Sequence, residues 1–177
     1  MSAWYARNVE PSDFDAIFIA LQAAHVRYIV VGGVAVVLHG SPRFTADLDL
    51  VIALDDENVR AALAALEGLG YRPRAPVPAQ QFADPQTRRS WIEDNGLTVS
   101  SLWSPDHPAT EIDIFVEEPF PFDDAYTRAV QADLGTSMVT VASVADLIAL
   151  KRRAGRPKDL ADISALEALT AEVDGGE

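Results

Sequence analysis

Three aspartates in segments with strand-like patterns are the residues best suited to carry chemistry in this sequence. Asp47 and Asp49 are two positions apart, and Asp113 follows in a later apolar segment. Because alternate residues of a strand point to one face, Asp47 and Asp49 would face together while Leu48 and Leu50 face the other side. Two carboxylates about 6 Å apart repel each other by roughly 3 kcal/mol at an effective dielectric constant of about 20. The three aspartates either face solvent at strand ends or bind a hard divalent cation, and the pairing favours a site for Mg²⁺ or Mn²⁺.

A pair of glycines, Gly32 and Gly33, follows the apolar segment 28–31 and precedes a short apolar stretch that closes at Gly40. The segment 28–31 predicts a strand covered on both faces, and the stretch after the glycines predicts a short helix. Glycines permit a tight turn and a close approach of other groups, and the N–H groups at a helix start attract phosphate. The pair is therefore a plain turn or a phosphate-binding turn, and the nearby aspartates favour the second. Neither G-x-x-x-x-G-K-[ST] nor G-x-G-x-x-G occurs here.

Arg43, Thr45 and His39, which precede the aspartate pair, are further candidates for the site. Arg43 and Thr45 are either ordinary loop residues or, because they directly precede the expected metal strand, contacts for a phosphate. His39, beside Gly40, is interpreted as a helix C-terminal cap or a packed histidine and not as a catalytic base.

A basic segment near the C-terminus, KRRAGRPKD, holds five of the 14 Lys and Arg residues: Lys151, Arg152, Arg153, Arg156 and Lys158. Basic residues in the last turn of a helix stabilise it by complementing the helix dipole. So many cations within one short segment of an acidic chain equally indicate a local anion-binding site. Both interpretations stay open from the sequence.

The elements around these residues alternate between strand and helix, which predicts an α/β (α+β) fold with a small mixed sheet, flanking helices and C-terminal helices. Helices are expected from 12 to about 25, up to Gly40, from 55 to Gly68 or Gly70, and at 86–94, 123–131, 143–154 and 157–169. Strands are expected at 28–31, around the aspartate pair to 52, at 97–103 and 111–116 as a hairpin, and at 137–141. Residues 1–11 are expected to be irregular and 171–177 frayed.

Composition limits the domain count and the partners. With 177 residues, one domain covering 1–177 is expected, with a core at about 12–142 and a helical part at about 143–170. The net charge of −13 argues against binding duplex DNA, because such proteins carry a broad basic face. It leaves a small ligand, a protein partner, or nucleic acid held through a local basic patch. Without cysteine, a signal-like apolar core or a membrane span, the chain is expected to be cytoplasmic.

The glycine pair, the short helix and the Asp-x-Asp strand, with a further carboxylate on a later strand, resemble the DNA polymerase beta-like nucleotidyltransferase superfamily. Within it, GGVAVVLHGSPRFTADLDL and the later KRRAGRPKDLADI are most similar to the small bacterial AbiEii-type nucleotidyltransferases, many of which are toxins of toxin-antitoxin pairs. Many relatives have Gly-Ser where this chain has Gly32 and Gly33. A hydroxyl that would touch the triphosphate is therefore missing, and only backbone donors remain.

The resemblance implies a role for each candidate residue. Asp47 and Asp49 would hold the Mg²⁺ that binds the triphosphate, and Asp113 would complete a second metal position and favour removal of the proton from the acceptor hydroxyl. Lys151 would neutralise charge on the leaving pyrophosphate, and Asp159, or Asp162 in its place, would be the aspartate of the following helix.

Three functions follow as hypotheses. The first is a metal-dependent transfer of an NMP from an NTP to a hydroxyl acceptor, which is a tRNA end, a protein or a small molecule, with a protein antitoxin as a possible partner. The second is an antibiotic-type nucleotidyltransferase that modifies a small molecule. The third is a non-catalytic nucleotide-binding or interaction domain that keeps the fold.

Overall fold

The chain forms a mixed β-sheet flanked by helices, in the fold class that the sequence predicts. The computed structural model describes residues 12–174, with side chains over 14–171, so the irregular segment expected at 1–11 lies outside the described residues. Within the described range, none of the helices has the length and apolarity needed to cross a membrane.

The described residues contain seven α-helices and seven strands. The helices are α1 (Ser12–Ala23), α2 (Gly32–Leu38), α3 (Asp56–Gly68), α4 (Pro85–Asn95), α5 (Phe122–Arg128), α6 (Val144–Ala154) and α7 (Pro157–Asp174). The strands are β1 (Tyr28–Val31), β2 (Asp47–Ile52), β3 (Arg72–Pro73), β4 (Val99–Trp103), β5 (Glu111–Phe115), β6 (Val130–Asp133) and β7 (Met138–Val141). A 3₁₀ helix covers Ala79–Ala83.

The unit β1–α2–β2 forms as expected and lies at the centre of the molecule. All four residues of β1 are buried, because their β-branched and aromatic side chains suit a strand covered on both faces. Helix α2 starts directly at the glycine pair and buries every residue from Gly33 to Leu38. The chain then returns along β2, which pairs antiparallel with β1.

The strand order across the sheet is β3-β4-β5-β2-β1-β7-β6. Strand β2 therefore lies between β1 and β5, and it pairs parallel with β5. The hairpin predicted from the sequence is confirmed, because β4 and β5 pair antiparallel. This order places the two aspartate-bearing strands side by side.

The C-terminal helices α6 and α7 pack against each other, and α6 also contacts α2. The N-terminus of α6 is capped as its sequence indicates, with the Ser143 side chain accepting a hydrogen bond from the backbone N–H of Asp146. Gly155 then ends α6 with a left-handed backbone at φ 62°. The reversal of the chain at Gly155 brings the basic segment next to the start of α2.

Three predicted elements differ from the structure. The helix expected at 123–131 ends at Arg128, because the chain from Val130 pairs with β7 as strand β6. Strand β3 and the 3₁₀ helix lie between 72 and 83, a proline-rich segment in which no strand or helix was expected. The tail expected to fray from 171 continues as helix to Asp174.

Candidate active site

The three aspartates lie on neighbouring strands, as expected. Asp49 on β2 is the register partner of Asp113 on β5, and Asp47 pairs in the same way with Glu111. Leu48 is fully buried, so the alternation puts the apolar residues into the core and the carboxylates on the other face. The Asp47 side chain is exposed, whereas Asp49 and Asp113 are partly buried.

The first glycine lies directly against the Asp49 carboxylate. A Cβ atom at Gly32 would lie 1.9 Å from Oδ2 of Asp49, a separation that no real contact tolerates. Gly32 also has φ +67°, in the left-handed region where residues with a side chain are strained. Only glycine therefore fits this position without moving the carboxylate.

The second glycine lies under the loop that connects α2 to β2. A Cβ atom at Gly33 would lie 2.8 Å from Oγ1 of Thr45 and 3.3 Å from Cζ of Arg43. The two loop residues therefore fold back over the start of α2, next to the aspartates. The hydroxyl of Thr45 therefore lies next to the second glycine.

The C-terminal helices bring a network of buried ion pairs to the same place. Nζ of Lys151 lies 2.7 Å from Oδ2 of Asp162 and 4.0 Å from Oδ1 of Asp159, and all three side chains are at least nine-tenths buried. Arg43 donates a hydrogen bond to Asp162 from across the fold. Nε of Arg156 donates to Oδ2 of Asp159 at 2.7 Å, and this bond lowers the pKa of Asp159.

The choice between Asp159 and Asp162, which the sequence leaves open, has no single answer in the structure. Both aspartates are buried, both pair with Lys151, and each also binds an arginine. Lys158, by contrast, faces the site without an ion pair to any carboxylate in the described range. Of the five cations in the basic segment, three line the cleft, and of these Lys151 and Arg156 are ion-paired whereas Lys158 is not.

All ten residues predicted for the site line one open cleft of about 290 Å³, and their roles stay predictions. Its lining is Gly32, Gly33, Arg43, Phe44, Thr45, Ala46, Asp47, Asp49, Asp113, Lys151, Arg156, Lys158, Asp159 and Asp162. Four basic side chains face five acidic ones, which leaves one net negative charge when all are ionised. Such a surplus of carboxylates suits a cation.

The crowding of the aspartates perturbs their protonation. Burial, followed by the charges of Asp113 and Asp47, raises the pKa of Asp49 from 3.8 to about 6. Burial also raises the pKa of Asp113, although a hydrogen bond from the Ser101 hydroxyl opposes that rise. Both shifts are those expected of carboxylates that are partly withdrawn from water beside other carboxylates.

The donor set fits a hard cation, but not as a closed protein cage. Among the described residues, no three His, Asp or Glu side chains are close enough together to hold a metal ion by themselves. Mg²⁺ is usually bound through one or two carboxylates and completed by water and substrate phosphates. Asp47 and Asp49, on one face of one strand, meet that smaller requirement.

Two other polar residues near the aspartates, His39 and Glu111, lie outside the cleft lining. His39 is the C-cap residue of α2, and its Nε2 lies 2.8 Å from the carbonyl oxygen of Ala142, in agreement with a structural role. Nε of Arg74 donates a hydrogen bond to Oε2 of Glu111 at 2.8 Å, and this bond holds Glu111 to one side of the aspartates. Sequence reasoning gave no role to Ser101 or Phe44, whose only signals are their positions opposite Asp113 and beside Arg43.

Comparison with known proteins gives one family match and several structural ones. The family model described as "Nucleotidyl transferase AbiEii toxin, Type IV TA system" matches residues 16–177. No curated protein matches the sequence significantly.

Among solved structures, the fold is similar to the lincosamide antibiotic adenylyltransferase LnuA bound to lincomycin, with 16% identity, a TM-score of 0.57, and 89% of this chain and 98% of that chain covered. It is also similar to ANT(2")-Ia in complex with adenylyl-2"-tobramycin, with 16% identity, a TM-score of 0.56, and coverage of 92% and 95%. A third is an antigenic nucleotidyltransferase-like protein from Paracoccidioides brasiliensis, with 19% identity, a TM-score of 0.51, and coverage of 89% and 78%.

Proposed function

The chain belongs to the AbiEii family of nucleotidyl transferases, and from that membership we propose that it moves an NMP from an NTP to a hydroxyl acceptor with release of pyrophosphate. The observation that carries the proposal is one cleft in which Asp47, Asp49 and Asp113 face the glycine turn and the cations of α6 and α7. Carboxylates and cations that face one open cleft are the parts that phosphoryl transfer needs.

Asp47 and Asp49 are the residues proposed to hold Mg²⁺ or Mn²⁺. Their shared face, the cradle that Gly32 leaves for Asp49, and the raised pKa of Asp49 support this assignment. When bound, the cation would supply neutralisation of phosphate charge and polarisation of the α-phosphate. Asp113, which lies beside Asp49 in the register, is proposed to contribute to the same site.

The triphosphate is proposed to lie between the glycine turn and the basic segment. Lys158 is unpaired with any described carboxylate, so it can meet a phosphate without breaking a contact. Arg43 and Arg156 keep part of their guanidinium groups for a second partner while they bind Asp162 and Asp159. Lys151 is buried against both of those aspartates, so we assign it to hold them in place and to share its charge with the leaving pyrophosphate.

Asp113 is proposed to take the proton. In the transfer, the acceptor oxygen forms a bond to the α-phosphorus, the bond to the bridging oxygen of pyrophosphate breaks, and the hydroxyl proton passes to the carboxylate. Asp113 must be ionised to accept it, and the Ser101 hydroxyl favours that form. Replacing Ser101 with Ala should therefore move the acid limb of the pH-rate profile to higher pH. An unchanged profile would remove Asp113 from the role of base.

The cleft identifies the class of acceptor less closely than it identifies the sites for the metal and the triphosphate. The family description supports a toxin role and an antitoxin partner, and an RNA end or a protein side chain would then be the acceptor in the cytoplasm. A small-molecule acceptor is favoured by one observation, the net charge of −13 over the whole chain, which suits a cationic compound. The solved adenylyltransferases with lincomycin and adenylyl-tobramycin share the fold, and their acceptors are of this small-molecule class.

A labelling experiment separates these possibilities. The protein is incubated with each α-labelled NTP and Mg²⁺ in the presence of an RNA fraction, a protein fraction or a panel of aminoglycosides, and the labelled fraction identifies the acceptor class. The Asp49→Asn variant is the control and should label none. If the wild type binds NTP but labels no fraction with any of the four NTPs, the protein is a non-catalytic nucleotide-binding member of the fold.

A further inference from the structure

Phe44 exposes its ring at the mouth of the cleft. Its side chain is 91% exposed, more than that of any other large hydrophobic residue in the described range, where the next is Leu160 at 60%. Water contact over a whole aromatic ring forgoes the burial that usually stabilises such a residue. Packing within the free protein therefore does not explain why an aromatic residue occupies this position.

The residues on both sides of Phe44 are anchored through their side chains, so the point at which the Phe44 side chain leaves the backbone is fixed beside the cleft. Arg43 binds Asp162 on α7. Thr45 lies against Gly33, where a Cβ would be 2.8 Å from its hydroxyl, and its hydroxyl donates to the carbonyl oxygen of Asp47 at 3.4 Å. The ring thus projects from a loop that is tied to the helix and strand of the site.

The rest of the cleft has nothing suited to a flat apolar group. Apart from Phe44, its lining consists of charged residues, two glycines, one threonine and one alanine, so among the described residues Phe44 supplies the one aromatic surface. An NTP has two unlike parts, a charged triphosphate and a planar base whose faces are apolar. The charged lining and the glycine turn serve the first part, and the second requires an aromatic or aliphatic surface at the edge of the cleft.

We propose that Phe44 stacks on the nucleobase of the bound NTP and so orients the nucleotide with its phosphates toward the aspartates. This inference rests on the proposed nucleotidyl transfer and adds the residue that holds the base. Stacking uses the π-face that all four bases share, so Phe44 increases the affinity for each of them. It favours purines over pyrimidines, because the larger ring system covers more of the phenyl face.

Binding to ATP and to inorganic tripolyphosphate, each with Mg²⁺, tests this role by calorimetry without requiring turnover. Replacing Phe44 with Ala should weaken ATP binding by roughly 5- to 150-fold, the range that loss of one base-aromatic stack produces. Tripolyphosphate, which has no base, should bind the variant as it binds the wild type. Phe44→Trp should retain or increase the affinity for ATP, whereas Phe44→Leu should show an intermediate loss.

Leu160→Ala is a matched control, because Leu160 is also an exposed hydrophobic residue but lies on α7, outside the cleft lining. This substitution should change the affinity for neither ATP nor tripolyphosphate. Unchanged ATP binding in Phe44→Ala, or an equal loss for ATP and tripolyphosphate, would overturn the stacking role. A wild-type protein that binds neither ligand would overturn the proposed nucleotidyl transfer itself, and the stacking role would fall with it. The two failures are therefore distinguishable.

Discussion

Replacing Asp49 with Asn should make the metal-free protein more stable at neutral pH. The pKa of Asp49 is raised from 3.8 to about 6 by burial and by the neighbouring Asp113 and Asp47 carboxylates. A shift of about two units corresponds to about 3 kcal/mol at 1.36 kcal/mol per unit. Above pH 6 the folded protein bears this cost because Asp49 is ionised, and below pH 3.8 the cost is absent because it is protonated in both states. Asn stays neutral at every pH, so the Asp49→Asn protein does not bear this free-energy cost at any pH.

Thermal melting in EDTA measures this effect. At pH 7.5 the Asp49→Asn protein should melt about 6 to 12 °C above the wild type, since 1 kcal/mol is about 2 to 4 °C for a chain of this size. The difference should shrink as the pH falls from 6 toward 4. The matched control is Asp47→Asn, whose exposed side chain should give a much smaller change at either pH.

Adding Mg²⁺ completes the comparison. The wild type should gain stability with Mg²⁺, because the ion binds the folded state, and Asp49→Asn should gain little. A variant that melts at or below the wild-type temperature in EDTA at pH 7.5, or whose advantage persists unchanged at pH 4, would refute the reasoning. So would a variant that Mg²⁺ stabilises as much as the wild type.

Three further substitutions, at Gly32, Lys158 and Lys151, test the other walls of the cleft. Gly32→Ala should destabilise the protein and reduce the Mg²⁺-induced rise in melting temperature, because its Cβ would displace Asp49, whereas Gly40→Ala, with positive φ but open space, should show only a backbone cost of about 1 to 2 kcal/mol. Lys158→Ala should weaken NTP binding more than NMP binding and leave stability unchanged. Lys151→Ala should lower the free energy of unfolding by about 3 to 5 kcal/mol, because two buried carboxylates lose their partner. Equal losses for NTP and NMP in Lys158→Ala, or a Lys151→Ala protein as stable as the wild type by urea denaturation, would contradict these assignments.

Local patterns in the sequence predict much of the fold. The strand β1, the helix α2 and the strand β2 were expected because β-branched residues, paired glycines and alternating leucines and aspartates each favour one backbone conformation. Helix α6 was expected because Ser143 and Gly155 mark its two ends. Strand β6 was not, since nothing local distinguishes Val130 from the end of a helix, and its strand conformation results from pairing with Val141.

The predicted site residues are neighbours in space, but the contacts among them could not be read from the sequence. Arg43 reaches Asp162 across 119 positions of the chain, and that pair depends on the packing of α7 against α6, which in turn contacts α2. Lys151 was expected to be an available cation, and its burial between two aspartates follows from the turn at Gly155. Phe44 gave no signal because a lone aromatic residue in a loop has no periodicity.

The pairing of β2 with both neighbours links the orientation of the proposed metal-binding aspartates to folding. A slip of β2 by one residue would turn Asp47 and Asp49 into the core and Leu48 and Leu50 to the surface, at a cost that the buried sheet does not tolerate. Soluble molecules with the aspartates facing the wrong way should therefore not accumulate. In a preparation of this protein, activity lost without loss of folded material would report a change in side-chain chemistry and not a misaligned strand.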